Sequence, residues 1–184
     1  MSNYTLDAVN SKQQSSTTKT SIKLLVFDIG KLTLALPVAQ VIKVIKYLPL
    51  YGSGTSYINL THVGEQEITV VDLHQKLFKI GLDDLGSDRG YFILTKPRPI
   101  TIIKDGISEE HPFMKESFGI RVLDSPSLID VNLSLVRALP NSYRFADTLE
   151  IASHVAVIPQ GEKANSEQTI FILDLERLVK PNAI

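Results

Sequence analysis

The chain has no cysteine anywhere in its 184 residues. That excludes a disulfide framework, a thiolate nucleophile, a CxxC redox pair and every cysteine-ligated zinc or iron–sulfur site, and it fits a reducing compartment. Tryptophan is also missing, and aromatic residues make up only 7%. No basic strand carries the interleaved aromatics on which single-stranded nucleic acid stacks. Neither sign of charge is in excess: Lys plus Arg is 19, Asp plus Glu is 20, and the formal net charge is −1. With the basic residues scattered, there is no electrostatic footprint for nucleic acid or for an anionic membrane surface. No apolar run approaches the ~18 residues of a membrane span, and the N-terminus lacks the charged and apolar regions of a signal peptide. The expected location is therefore the cytoplasm, with no direct membrane insertion.

What is present is the composition of an ordinary globular chain, 43% hydrophobic and 21% charged. A chain of this size buries enough surface for a core without metal or disulfide staples. Residues 1–20, rich in Ser, Thr, Asn, Gln and Lys, bury too little to offset their ordering entropy and are expected to form a flexible polar tail. The domain is expected to span 21–184. Its punctuation is that of a mainly β fold: a strand to Asp28, a turn at Ile29-Gly30-Lys31, a second strand ended by Pro37 and a third from Gln40 to Tyr47. Further short strands are predicted near Tyr57–Leu60 and Glu67–Val71 and in YFILT, ITIIK, SFGIRVL, SLIDV, LEIASHVAVI and TIFIL. Long helices are missing.

Two segments share a grammar. In ITVVDLHQKLF, Ile68 to Phe78, and IFILDLERLV, Ile170 to Val179, an apolar run is followed by Asp-Leu and then by apolar residues at helical spacing. Asp72 and Asp174 are expected to cap short helices by accepting hydrogen bonds from free first-turn N–H groups, with Gln75 at capping-box distance from Asp72. Leu73, Leu77 and Phe78 mark the buried side of the first helix, and Leu175, Leu178 and Val179 that of the second. The echo suggests two similar β subdomains. Because the second segment has no histidine, the pattern does not depend on His74.

Chemistry-bearing residues do not assemble into a known pattern. His62, His74, His111 and His154 lack the spacings of histidine metal sites, and no metal, cofactor or catalytic residue is expected. Gly52-Ser53-Gly54 lacks the flanking strand and helix, and the partner residues, of a phosphate loop or nucleophile elbow. Asp83-Asp84 and Glu109-Glu110 read as solvated loop charge. An alternative of another class is a small-molecule-binding or enzymatic β-barrel that uses a cleft between subdomains with Asp72, His74 or His154.

The stretch QVIKVIKY stands out. By strict alternation, Val41 and Ile45 lie on one face with Ile42 and Val44 on the other, and each face also carries a lysine, Lys43 or Lys46. Such a strand is either sandwiched within its own protein or partly covered by another.

Taken in order, these segments resemble the CheW-like domain, the fold of the chemotaxis coupling protein. LVFDIGKLTLALPVAQVIKVIKY is similar to that family's opening strands, YINLTHVGEQEITVVDLHQKLF to its Asn-Leu stretch followed by an apolar strand and Asp-Leu, FGIRVL through LVRALP to its second-half strands, and IFILDLERLV to its closing strand and helix. The resemblance implies two small five-stranded β-barrel subdomains packed side by side with short helices. It further implies a non-catalytic adaptor in two-component signal transduction, coupling the regulatory domain of a CheA-type histidine kinase to the cytoplasmic tip of a methyl-accepting chemoreceptor. On motif match, the implied protein interface comprises Val41, Lys43 and Val44 for the kinase, and Ile58, Asn59, Leu60 and Thr61 near a receptor groove. Many family members have Arg-Gly where this chain has Thr61-His62, and an acidic residue where it has Lys43. The departures imply a divergent member working in chemotaxis, phototaxis or surface motility.

Overall fold

A computed structural model describes residues 20–52, 57–81, 89–96, 100–104, 107–111, 117–140, 142, 149–159 and 166–179, the segments 100–104 and 107–111 by their backbone alone. The first half of the chain forms β1 (Ser21–Ile29), β2 (Leu32–Pro37), β3 (Val41–Lys46), β4 (Ile58–Val63), β5 (Gln66–Asp72), α1 (Leu73–Phe78) and β6 (Tyr91–Thr95). There follow β7 (Ile100–Lys104), β8 (Ile107–His111), β9 (Phe118–Val122), β10 (Ser127–Asn132), β11 (Val136–Ala138), β12 (Ala152–Pro159), β13 (Glu167–Leu173) and α2 (Leu175–Val179). Single 3-10 turns precede β3 and β11. Glu109 and Glu110, read from the sequence as loop, lie on β8, which pairs with β7 in a separate two-stranded ribbon. Two glutamates in a five-residue run give no strand signal, and the ladder with the apolar β7 supplies what propensity does not.

The fold is mainly β, with two sheets packed together and few short helices. One sheet has the order β3-β6-β9-β5-β4, the other β10-β1-β2-β13-β12-β11. The first five positions of each follow one scheme. The third and fourth strands run parallel, β9 with β5 and β2 with β13, and every other neighbouring pair is antiparallel. Each helix follows the equivalent strand, α1 after β5 and α2 after β13. The Asp-Leu echo thus marks equivalent places in two similar sheets. The division does not follow the halves of the chain, however, because the N-terminal hairpin β1–β2 completes the sheet made by the C-terminal strands. A parallel neighbour cannot be reached by a tight turn. The partner of β13 comes from the other end of the chain.

Burial explains why so many strands are apolar on both faces. Leu25, Phe27, Ile29, Leu34 and Leu36 of one sheet meet Val71, Ile93, Phe118, Ile120 and Val122 of the other in a shared core that Leu73, Leu77, Leu175 and Leu178 of the helices complete. The opposite face of the six-stranded sheet buries Leu24, Val26, Ala35, Val131, Ala156, Ile170 and Ile172. That of the five-stranded sheet buries Ile68, Val70, Phe92 and Leu94 under Ile45, Tyr47, Leu48 and Leu50. Each sheet closes over its own outer face, and the two share the inner one.

The helix starts are local. The Asp72 carboxylate accepts from the Gln75 N–H at 3.0 Å, and that of Asp174 from the Glu176 N–H at 3.1 Å. Leu73, Leu77, Leu175 and Leu178 are buried, Phe78 is half-buried, and the side chain of Val179 lies outside the described residues, as does the 1–19 part of the polar tail. Lys79 ends α1 in the left-handed conformation, φ 61°.

Two stability effects follow, both measurable by urea denaturation. Asp72→Ala, which removes a helix cap, is expected to cost ~1 kcal/mol. Ile120→Ala, which opens the fully buried centre of the shared core, is expected to cost about 2–5 kcal/mol.

Candidate protein-binding surface

The five-stranded sheet ends on β3 and β4, and these two strands carry every interface residue suggested by the sequence. On β3 the register with β6 slips between Val41 and Lys43, leaving Ile42 as the extra residue of a bulge. A bulge breaks the two-residue alternation. Val41 therefore packs against the shared core while Ile45 packs on the other side of the sheet, and the single face assigned to both by strict alternation does not exist. The bulge turns Ile42 into solvent, 48% exposed, and Val44 stands 38% exposed at the sheet's edge. Lys43 and Lys46 are exposed beside them.

β4 keeps strict alternation. Asn59 is 7% exposed and Thr61 1%, and both face the segment that closes the sheet. The Thr61 hydroxyl donates to the Pro49 carbonyl at 2.8 Å, while the backbones of Tyr51 and Leu60 exchange two hydrogen bonds of 2.7 and 2.8 Å. A Cβ on Gly52 would collide with the Asn59 side-chain oxygen. The outward positions are half-buried Ile58, Leu60 and His62. Leu60 is 37% exposed, next to Tyr51 at 59%, whose ring meets His62 edge-on at 5.9 Å. Of the four positions from Ile58 to Thr61, two point inward as struts, and the outward patch is built from Leu60 with Tyr51 and His62. Tyr51 and His62 escaped sequence reasoning because the bridge that seats Tyr51 on β4 pairs it with Leu60, nine residues on, with no local signal.

Two buried cations were also missed. Arg121 on β9 is fully buried, with its guanidinium 4.8 Å from the Tyr47 ring centre. It is the register neighbour of buried Asp72 on β5, so opposite charges lie side by side on one side of the sheet. Lys76 on α1 is 6% exposed, with its ammonium 4.3 Å from the Tyr57 ring centre. A single charged residue inside an apolar run, as in FGIRV, is the only local signal for such a group.

The Asp72–His74 pair does not form an acid–base couple. Asp72 is buried and engaged at the helix start, whereas the His74 ring nitrogen is 2.8 Å from the Ile80 carbonyl and its ring is 5.1 Å from that of Phe78. His154 bonds Ser153 on the exposed side of β12. Among the described residues, no group of three or more His, Asp or Glu is placed to hold a metal ion. Ser53, Gly54, Asp83 and Asp84 lie outside them, as does the side chain of His111. An apolar hollow of about 430 Å³ between the β1–β2 turn and α1 is lined by Gly30, Lys31, Leu32, His74, Phe78 and Ile80. One histidine engaged with a carbonyl is its only titratable group besides exposed Lys31. No described helix is long and apolar enough to cross a membrane.

Comparison with known proteins bears on the family and the fold. The family model of the CheW-like domain matches residues 23–182. Among solved structures, the chain is similar to the scaffolding protein TtCheW from Thermoanaerobacter tengcongensis, at a TM-score of 0.64 and 16% identity, over 93% of this chain and 96% of that one. No curated protein matches the chain.

The strut role of Asn59 has a direct check. Gly52→Ala is expected to cost about 1–3 kcal/mol by overpacking against the buried Asn59 side chain, with faster amide exchange at Tyr51 and Leu60 than in the unmodified protein.

Proposed function

The chain belongs to the CheW-like domain family, and from that premise we propose that it is a non-catalytic adaptor joining the regulatory domain of a CheA-type histidine kinase to the cytoplasmic tip of a chemoreceptor. The observation that carries this reading is the placement of two separate apolar patches, Ile42 with Val44 and Tyr51 with Leu60, on the two end strands of one sheet. An adaptor has to present two docking surfaces that do not overlap, held at a fixed spacing by a rigid body. A sheet whose central strands are buried on both faces is such a body. A catalyst, in contrast, draws on convergent polar groups in a recess, and the hollow beside His74 is lined mainly by apolar groups. Membership of a coupling family and likeness to a scaffold fold support the same side of the choice.

On this reading, Ile42, Lys43 and Val44 form one docking surface, with Val41 supporting it from the core side, and Ile58, Leu60 and their neighbours the other, with Asn59 and Thr61 shaping the second from inside. Interfaces of this kind draw most of their affinity from a few apolar anchors. Val44 and Leu60 are the candidates, each partly exposed on a strand backed by the core. Individually weak contacts gain strength when several partners are held in one assembly, so modest pairwise affinity suits the role.

Titration calorimetry of the chain against the kinase regulatory domain and against a receptor-tip fragment tests the proposal. Val44→Glu is expected to weaken one partner by about 2 kcal/mol, roughly thirtyfold, and to spare the other. Leu60→Glu is expected to do the reverse, each variant melting like the parent. Loss of both partners in both variants, or of neither, would defeat the two-surface reading.

A further inference from the structure

The β3 edge is cationic as well as apolar, and this sets a condition on what docks there. From Ile29 through Gly64 the chain contains no Asp or Glu. β3 itself carries Lys43 and Lys46, while its neighbour β6 is flanked by Arg89 and Lys96, all four exposed. Gly90 and Lys96 bracket the β3–β6 ladder through backbone bonds to Tyr47 and Gln40, which spreads these charges along the whole length of the edge. None of the four is ion-paired with a described residue. One described carboxylate, Asp124, approaches them, in a cleft of about 450 Å³ lined by Lys46, Tyr47, Arg89, Gly90, Tyr91, Leu123, Asp124 and Ser125. A protein of net charge −1 has gathered cations beside its exposed Ile42 and Val44.

Lysines and a bulge on an edge strand ordinarily guard against indiscriminate strand pairing. A strand laid along β3 would have to cover Lys43 and Lys46, and covering a cation without a counter-charge is strongly unfavourable. A partner with carboxylates opposite the lysines turns that penalty into attraction. We propose that the β3 edge selects a partner segment that sets carboxylates opposite Lys43 and Lys46, which project to opposite faces of the strand, and apolar side chains opposite Ile42 and Val44, borne by the kinase regulatory domain. This rests on the adaptor reading and specifies the chemistry of its partner. The apolar positions of that segment cover Ile42 and Val44, its acids meet Lys43 and Lys46, and a further acid reaches the cleft beside Lys46 and Arg89.

The test compares the full chain with a Lys43→Gln/Lys46→Gln double variant, binding the regulatory domain in about 50 and about 500 mM NaCl. The parent is expected to lose about tenfold in affinity across that range, and the double variant to bind about tenfold more weakly at low salt with little salt dependence left. Both lysines are exposed, so equal melting temperatures are expected and would confirm that folding is intact. Equal, salt-insensitive binding by both proteins overturns the acidic-partner inference and leaves the adaptor reading standing. No binding by the parent at either salt overturns both. Retention on heparin that the double variant loses, without binding to the regulatory domain, marks a general anion surface and also overturns the proposal. So does a salt-sensitive dimer of the chain itself that the double variant abolishes.

Discussion

Both sheets have to bury two faces, and the rest of the architecture answers to that constraint. A single layer between the sheets cannot do it, because strands such as β1, with Leu24 and Val26 on one side and Leu25 and Phe27 on the other, have no polar face to give to water. The shared core takes one side of each sheet. Curling, helped in the five-stranded sheet by the chain from Tyr47 to Tyr51, takes the other. Burial on this scale is worth about 1.5–3 kcal/mol for each large apolar side chain, and it outweighs propensity wherever the two conflict. Arg121 remains fully buried on β9 for this reason: the strand is held by Ile120 and Val122 on the shared side, which leaves its guanidinium to find Tyr47 on the other.

The same constraint determines how far the sequence could be read. Strand runs such as LLVFDI and TIFIL were legible because two-sided burial writes continuous apolar stretches bounded by turn residues. The Asp-Leu echo was legible because a helix cap is a local device, completed within three residues of Asp72 or Asp174. What could not be read is nonlocal. No pattern within β1–β2 indicates that this hairpin joins the C-terminal sheet, since the parallel contact of Leu34 with Phe171 spans most of the chain. The bulge at Ile42 depends on how Val41 and Lys43 meet β6, and a list of six residues shows only their alternation. Asn59 illustrates the limit in the candidate site: motif match to the family implied an interface residue, but its side chain is 7% exposed and lies against Gly52, a nonlocal contact.

Once all central strands are enclosed, the remaining freedom lies at the margins of the sheets. Exposed large apolar residues accordingly fall on the end strands β3, β4 and β10 and on turns and helix ends such as Tyr51 and Ile80, with Val157 on β12 as the exception. This distribution suits docking better than catalysis. A reaction centre asks for several polar groups converging on one point, which a strand with two apolar faces cannot supply without losing core. An edge asks only for a short row of side chains on a stiff support, and changing that row leaves the core untouched. Two edges of one sheet can thus diverge separately in their partners.

Charge is where such divergence is least costly to the fold and most consequential for the partner. Apolar contact through Ile42 and Val44 discriminates poorly, since one hydrophobic strand resembles another. The neighbouring lysines add a condition that an apolar strand cannot meet, because covering them unpaired costs more than Ile42 and Val44 return. In water the same lysines are solvated and cost the free protein nothing. On the proposed docking mode, affinity and selectivity reside in different side chains of one strand: the apolar pair sets how tightly the edge can be held, and the cations set which surfaces are admitted to it.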